Sequence, residues 1–198
     1  HTAPANQSMR EGRWDKSLYT GVELTHKTVG IVGFGRIGNI LAKRLAGFEP
    51  KVLFYDPFVE KSDIPYAEKA SLEEVFQKSD IVSVHVPYLE ATHNLIGEKL
   101  LNLMKPNSIM VNAARGNIVN EDDLIKALND KKLKACALDV FAQEPLDESS
   151  PLRKVENLIM TPHLGAATAE AQVRVGEMVI NQLNEFFVNT NLLNEVRV

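Results

Sequence analysis

Along this chain, short unbroken apolar runs alternate with longer stretches in which apolar residues return every third or fourth position. The runs are rich in Val and Ile and fall at 28–34, 51–56, 80–86, 108–113, 135–141 and 157–162. Such continuous hydrophobicity suits strands covered on both faces, since a strand with one wet face would alternate. Between them lie amphipathic segments with helix signals. RIGNILAKRLAGF follows the first run, and SLEEVFQKS opens with Ser71 and carries Glu74 three residues on, a capping box. Glu98 to Met104 is a shorter candidate, halted before Pro106. NEDDLIKALNDKK has acids in its first turn and lysines in its last, which complements the helix dipole. A long amphipathic segment from about Ala169 to Val188 closes the series. Strand and helix in repeated alternation predict an α/β fold, a doubly wound parallel sheet with helices on both sides.

The first two dozen residues lack strand character. They predict a helix or arm over 1–23, with Trp14 as a packing anchor, then a domain over 24–190 and a trailing segment over 191–198. No internal repeat, low-complexity tract or Ser/Gly linker divides the chain. It opens on His1, not Met, and we read it as a fragment.

Charge then narrows the function. With 22 basic and 26 acidic residues the net charge is -4, which argues against a nucleic-acid or polybasic membrane surface. It leaves room for a small anion held by one or two local cations. No apolar run approaches the length of a membrane span. The single cysteine, Cys136, sits in an apolar run and reads as a core residue of a reducing, cytoplasmic compartment. His1, His26 and His93 have no convergent partner, so no metal site is expected.

The first run leads into Gly33-Phe34-Gly35-Arg36-Ile37-Gly38, a G-x-G-x-x-G pattern. Three features of context strengthen it: a strand precedes it, a helix follows it, and an acid, Asp56, ends the next strand. Gly33 would allow the tight turn, Gly35 the approach of a pyrophosphate, and Gly38 close packing of helix on sheet. Free N–H groups at the positive end of the helix would face the phosphates. Asp56 would accept hydrogen bonds from the adenosine ribose and repel a 2′-phosphate, so NAD is expected over NADP. The plainer alternative is a glycine turn serving helix packing, with Asp56 as a turn residue before Pro57.

The remaining apolar runs also end in polar or turn-forming residues: HVP at 85–87, AARG at 113–116, LDVFAQEP at 138–145 and TPHLGAAT at 161–168. In a parallel sheet the carboxyl ends of the strands share an edge, so Arg115, Asp139, Glu144 and His163 should converge there. Taken one at a time, each has a duller reading as a surface salt bridge, a loop histidine or a solvated turn acid. Their joint occurrence on successive strand ends favours a site.

In this order GFGRIG, Asp56, HVP, NAARG, ALDVF with the following EP, and TPHLGAAT resemble the NAD-binding domain of the D-isomer-specific 2-hydroxyacid dehydrogenases, a Rossmann-type fold. The resemblance is nearest to the phosphoglycerate dehydrogenase and glyoxylate/hydroxypyruvate reductase branches. The D-lactate dehydrogenase branch usually carries an aromatic residue soon after the histidine, where this chain has Leu164-Gly165-Ala166-Ala167. The resemblance implies that Arg115 binds the substrate's carboxylate and 2-oxo group, that His163 is the general acid/base, and that Glu144 orients the His163 ring. It implies a cofactor track along Gly33, Gly35, Arg36, Ile37, Gly38, Asp56, Pro57, His85, Val86, Pro87, Thr92, Ala113, Ala114, Arg115, Asp139, His163 and Gly165. Asp139 would lie near the nicotinamide and help orient its carboxamide, and His85 has a structural or cofactor-packing role. The family's substrate domain is largely absent from this chain, so the fragment should bind NAD with little or no turnover. A homodimer through the cofactor domain, acting on a small 2-oxo or 2-hydroxy carboxylate, is also implied. Two other readings stay open: the C-terminal-binding-protein corepressors, which use NAD to assemble, and an NAD-binding module without catalysis.

Overall fold

A computed structural model describes residues 1–194. Seven strands, β1 (Thr28–Val32), β2 (Lys51–Tyr55), β3 (Ala67–Lys69), β4 (Ile81–Val84), β5 (Ile109–Asn112), β6 (Ala135–Leu138) and β7 (Leu158–Met160), form one sheet in the order β3-β2-β1-β4-β5-β6-β7. Every neighbouring pair is parallel. Six helices accompany them: α1 (Thr2–Arg10), α2 (Arg36–Arg44), α3 (Leu72–Lys78), α4 (Glu98–Leu101), α5 (Glu121–Asn129) and α6 (Ala169–Asn189).

The six apolar runs each contain a strand, as their hydrophobicity predicts. β1 shows why both faces must be apolar. Val29 and Ile31 enter a cluster with Ala42, Val52 and Phe54, while Val32 enters a second cluster with Leu53, Val75, Phe76 and Val82. Successive side chains point to opposite faces, so a single strand feeds two cores. Phe34 and Phe54 stack with ring centroids 4.0 Å apart beneath the glycine loop. The sequence misses β3. It is a three-residue edge strand whose Glu68 and Lys69 are exposed, so it has no apolar run to announce it.

Helix starts follow local chemistry. Ser71 Oγ accepts from Glu74 N at 3.2 Å while the Glu74 carboxylate accepts from Ser71 N at 3.1 Å, which completes the capping box. Asn120 caps α5 by accepting from Asp123 N at 3.0 Å.

Two elements differ from expectation. Trp14 does not anchor the arm within this chain: its side chain is 79% exposed, because α1 and the single turn at Lys16–Tyr19 supply no surface large enough to cover an indole. α6 spans the expected residues, but none of its side chains is buried, so it leaves the body of the sheet. Of the expected trailing segment 191–198, residues 195–198 lie outside the described residues.

Replacing Phe54, fully buried on β2 in the cluster with Ile31 and Ala42, by Ala should lower unfolding free energy by about 3–5 kcal/mol. Ser71→Ala should cost about 1 kcal/mol through loss of the cap. Urea titration followed by circular dichroism separates the two, and equal losses would contradict the packing described.

Candidate active site

The strand register aligns a row across the carboxyl edge of the sheet. Tyr55, Val32, Val84, Asn112, Leu138 and Met160 are successive pairing partners from β2 to β7. The residue after each is Asp56, Gly33, His85, Ala113, Asp139 and Thr161. Adjacent strands lie roughly 4.8 Å apart, so these six sit side by side along one rim. Five of them are expected from the sequence, and Thr161, two residues before His163, carries no separate signal.

At the β1 end, Gly33 has φ 95, and a Cβ there would lie 2.7 Å from the His85 carbonyl carbon. A Cβ on Gly38 would stand 2.2 Å from the Gly33 oxygen, so α2 can sit this close to the loop only with glycine. A Cβ on Gly35 would meet nothing within 4 Å, and α2 has no side-chain cap. The first-turn N–H groups of α2 therefore open onto free space, a fit for a pyrophosphate. Arg36 and Ile37 stand exposed on that turn.

Asp56 does more than wait for a ribose. It is buried, its Oδ2 accepts from Phe34 N at 2.8 Å, and its Oδ1 accepts from Phe58 N at 2.8 Å and Val59 N at 3.2 Å. A carboxylate offers about four lone-pair sites, so one remains, on the oxygen that already grips the glycine loop. Pro57 and Phe58 form the adjoining turn, and Phe58 presents a 90% exposed ring. Phe58 is not among the residues expected from the sequence, although an aromatic residue beside a polar turn is an available signal.

In the middle of the rim, His85 Nε2 and Ser83 Oγ are 2.8 Å apart. Burial pushes the His85 imidazole down from its ordinary value, which keeps it neutral near pH 7. Val86 is buried and Pro87 is exposed. The Thr92 hydroxyl donates to Pro87 O at 2.7 Å and accepts from Leu89 N at 2.7 Å, so it braces its own turn.

At the other end lies the most constrained segment. His163 has φ 55, in the left-handed region that side chains with a Cβ disfavour by roughly 1–2 kcal/mol. Its N–H donates to Asp139 O at 2.9 Å and Thr161 O at 3.0 Å. The Asp139 carboxylate accepts from the Thr161 hydroxyl, from Leu164 N at 2.8 Å and from Gly165 N at 2.9 Å. Burial acts to raise the Asp139 carboxyl, but the Thr161 hydroxyl and the two backbone N–H groups outweigh it and hold it below the ordinary range. Asp139 thus fixes the whole His163 turn.

That turn aims the imidazole. His163 Nδ1 lies 2.8 Å from Glu144 Oε2, and the other Glu144 oxygen accepts from Phe141 N at 3.0 Å. The His163 hydrogen bond, then that of Phe141, lowers the Glu144 carboxyl below its usual value. No partner among the described residues engages His163 Nε2. A cleft of about 590 Å³ adjoins the pair, lined in part by Phe141, Pro145, Met160 and Pro162.

One strand over, Asn112 is buried and bridges the turn beyond it: its amide donates to Arg115 O at 3.0 Å and accepts from Ala114 N at 3.0 Å. Arg115 is exposed, donates to Ala114 O at 2.6 Å, and makes no ion pair among the described residues. The salt-bridge reading of this arginine therefore does not hold. Without a carboxylate partner among the described residues, this guanidinium stands at the exit of β5, next to the β6 exit that leads to Glu144 and two strands from the β7 exit that leads to His163.

Comparison with known proteins accords with this geometry. Residues 1–165 match the family "D-isomer specific 2-hydroxyacid dehydrogenase, NAD binding domain". A glyoxylate reductase from Thermofilum pendens is 43% identical over 188 residues, covering 90% of this chain and 55% of the relative. A hydroxypyruvate reductase from Thermotoga maritima is 40% identical over 185 residues, covering 92% of this chain and 60% of the relative. The NAD-dependent formate dehydrogenase of Staphylococcus aureus, solved in complex with NAD, superposes with a TM-score of 0.89 at 35% identity, over 98% of this chain and 59% of its own. The chain therefore spans just over half the length of these relatives. With the glycine turn, the Asp56 strand end and the shared rim in place, the chain belongs to the NAD-binding domain family of the D-isomer-specific 2-hydroxyacid dehydrogenases.

Proposed function

We propose that the full-length protein transfers a hydride between NAD and a small D-2-hydroxy acid or the matching 2-oxo acid, 3-phosphoglycerate-like compounds included. The observation that carries this reading is the His163–Glu144 pair at 2.8 Å, with Nε2 open, and Arg115, without an ion pair among the described residues, on the neighbouring β5 exit.

NAD, when bound, supplies the hydride donor or acceptor. In this reading Arg115 holds the substrate carboxylate with its planar fork, a geometry that lysine lacks. His163 Nε2 gives a proton to the carbonyl oxygen during reduction and removes it from the hydroxyl during oxidation. Glu144 keeps its charge throughout, fixes the ring through Nδ1 and stabilises the imidazolium. The Gly33–Gly38 turn receives the pyrophosphate, with Arg36, Ile37, Ala113, Ala114 and the His85–Pro87 exit packing along the cofactor. Asp56 uses its remaining acceptor site on the ribose, which disfavours a 2′-phosphate. Asp139 and Gly165 shape the nicotinamide end, the former chiefly as the clasp of the His163 turn. Pro57 and Thr92 act by holding their turns.

Turnover needs water excluded from around the transferred hydride. The rim of this chain is open, so the chain alone binds NAD with little turnover, and a second domain closes the cleft. The exposed apolar Met9, Trp14, Leu18 and Val22 of the N-terminal arm support a twofold homodimer through this arm.

Three outcomes test this reading. In full-length protein, His163→Gln should cut NADH oxidation by 2-oxo acids by roughly 10²–10⁴ and leave NADH affinity near wild type; equal turnover would remove His163 from the mechanism. Because Glu144 is held below its ordinary value of roughly 4.3, its bond to His163 should persist through neutral pH and be lost only as pH falls through that lowered value. A carboxyl ¹³C titration with its midpoint at or above the ordinary value would contradict the pairing. Light scattering across concentrations should give the mass of two chains, and a one-chain mass throughout would exclude the dimer.

A further inference from the structure

The turns that carry Arg115 and Glu144 leave from different strands, and ladder pairing between β5 and β6 stops at Asn112 and Leu138. Three contacts beyond the ladder join them. A Cβ on Gly116 would lie 1.7 Å from the Phe141 carbonyl oxygen, so the two backbones touch where only glycine fits. Asn117, left-handed at φ 59, donates from Nδ2 to Ala142 O at 3.3 Å. Glu121, in the first turn of α5, accepts from Ala142 N through Oε1 at 2.7 Å. The preceding N–H, that of Phe141, goes to Glu144. Two glutamates from different elements thus grip consecutive N–H groups of one turn.

We propose that Glu121 is a positioning residue: through Ala142 it holds the 141–144 turn in the shape that seats Glu144 on His163, and with Gly116 and Asn117 it ties that turn to the one bearing Arg115. The proposal rests on the roles given above to Glu144 and His163. A carboxylate accepting a backbone N–H is the stronger, charge-assisted kind of hydrogen bond. The helix dipole of α5 favours a negative charge at this place. The same dipole supplies the competing explanation, that Glu121 only stabilises α5, as Asp122 and Asp123 beside it do. Asp123 has its own bond, accepting from Glu98 N at 2.9 Å, so it cannot stand in at Ala142.

Glu121→Gln separates the two explanations, because it keeps an oxygen acceptor and loses the charge. The charged groups acting on Glu144 are His163 and Asp139, and neither is altered by the substitution. In this chain, Glu121→Ala should move the Glu144 ¹³C titration midpoint upward, towards an ordinary carboxylate, as the Phe141 N–H loses its fixed place. Glu121→Gln should restore most of the wild-type midpoint. In full-length protein, Glu121→Ala should lower kcat by roughly three- to tenfold with NADH affinity unchanged. Asn117→Gly, which keeps the left-handed backbone and frees the other end of Ala142, should move the midpoint in the same direction, and it decides the matter if Glu121→Ala does not fold. An unmoved midpoint in folded Glu121→Ala or Asn117→Gly overturns the proposal, as does a Gln variant that behaves like Ala. A moved midpoint together with an inactive wild-type full-length protein would leave the positioning in place and reject the dehydrogenase reading instead.

Discussion

Because every strand of the sheet pairs in parallel, every strand must exit at the same edge, and each crossover must return the chain across a face of the sheet. The polar residues at the strand ends are therefore gathered without any long-range pairing of their own. Register sharpens this. One row of paired residues from Tyr55 to Met160 places Asp56, Gly33, His85, Ala113, Asp139 and Thr161 along a single rim, and every feature of the site follows from that row. The two apolar clusters that cover the sheet fix the row in place, since a slip of one residue would turn each of β1's core side chains to the wrong face.

On that rim, two acids act as clasps. Asp56 holds the glycine loop to the second strand end through Phe34 N, and Asp139 holds His163 in a left-handed turn through Thr161, Leu164 and Gly165. Each carboxylate is nearly saturated by its own chain, so the polar groups left open along the rim are backbone N–H groups, a guanidinium and an imidazole. The division is physically reasonable. A carboxylate bonded to fixed donors forms a rigid strut, whereas Arg115 meets no carboxylate among the described residues, which leaves its charge uncompensated there. Glu144 stands between the two kinds, half tied to Phe141 N and half to the ring it orients.

Much of this was legible in the sequence because it depends on local pattern. Six apolar runs gave six strands, Ser71 with Glu74 gave a helix start, and Gly33 to Gly38 gave a turn that only glycine can make. The strand-end residues were readable because parallel pairing turns one-dimensional order into a shared edge. What escaped depends on contacts between segments far apart in sequence. β3 is too short and polar to carry a period. Nothing in LDVF distinguishes an aspartate that faces a cofactor from one that bonds Thr161, Leu164 and Gly165 across two strand exits. Trp14 looked like an anchor because indoles are usually buried, and its exposure depends on what the arm lacks around it. The same holds for Glu121, which in sequence is one of three acids opening a helix.

If a nucleotide lies along one rim from the glycine turn to the His163 turn, its contacts must span both ends of the sheet edge. Amide chemical-shift mapping of this chain on addition of NADH measures that directly. Signals should be perturbed for Gly33 to Gly38 at one end, for His85 and Val86 between, and for Ala113, Ala114 and the His163–Gly165 turn at the other, with NADP at equal concentration giving weaker changes. Saturating NADH that leaves the Gly33–Gly38 amides unshifted, or shifts confined to the opposite edge of the sheet, would contradict it.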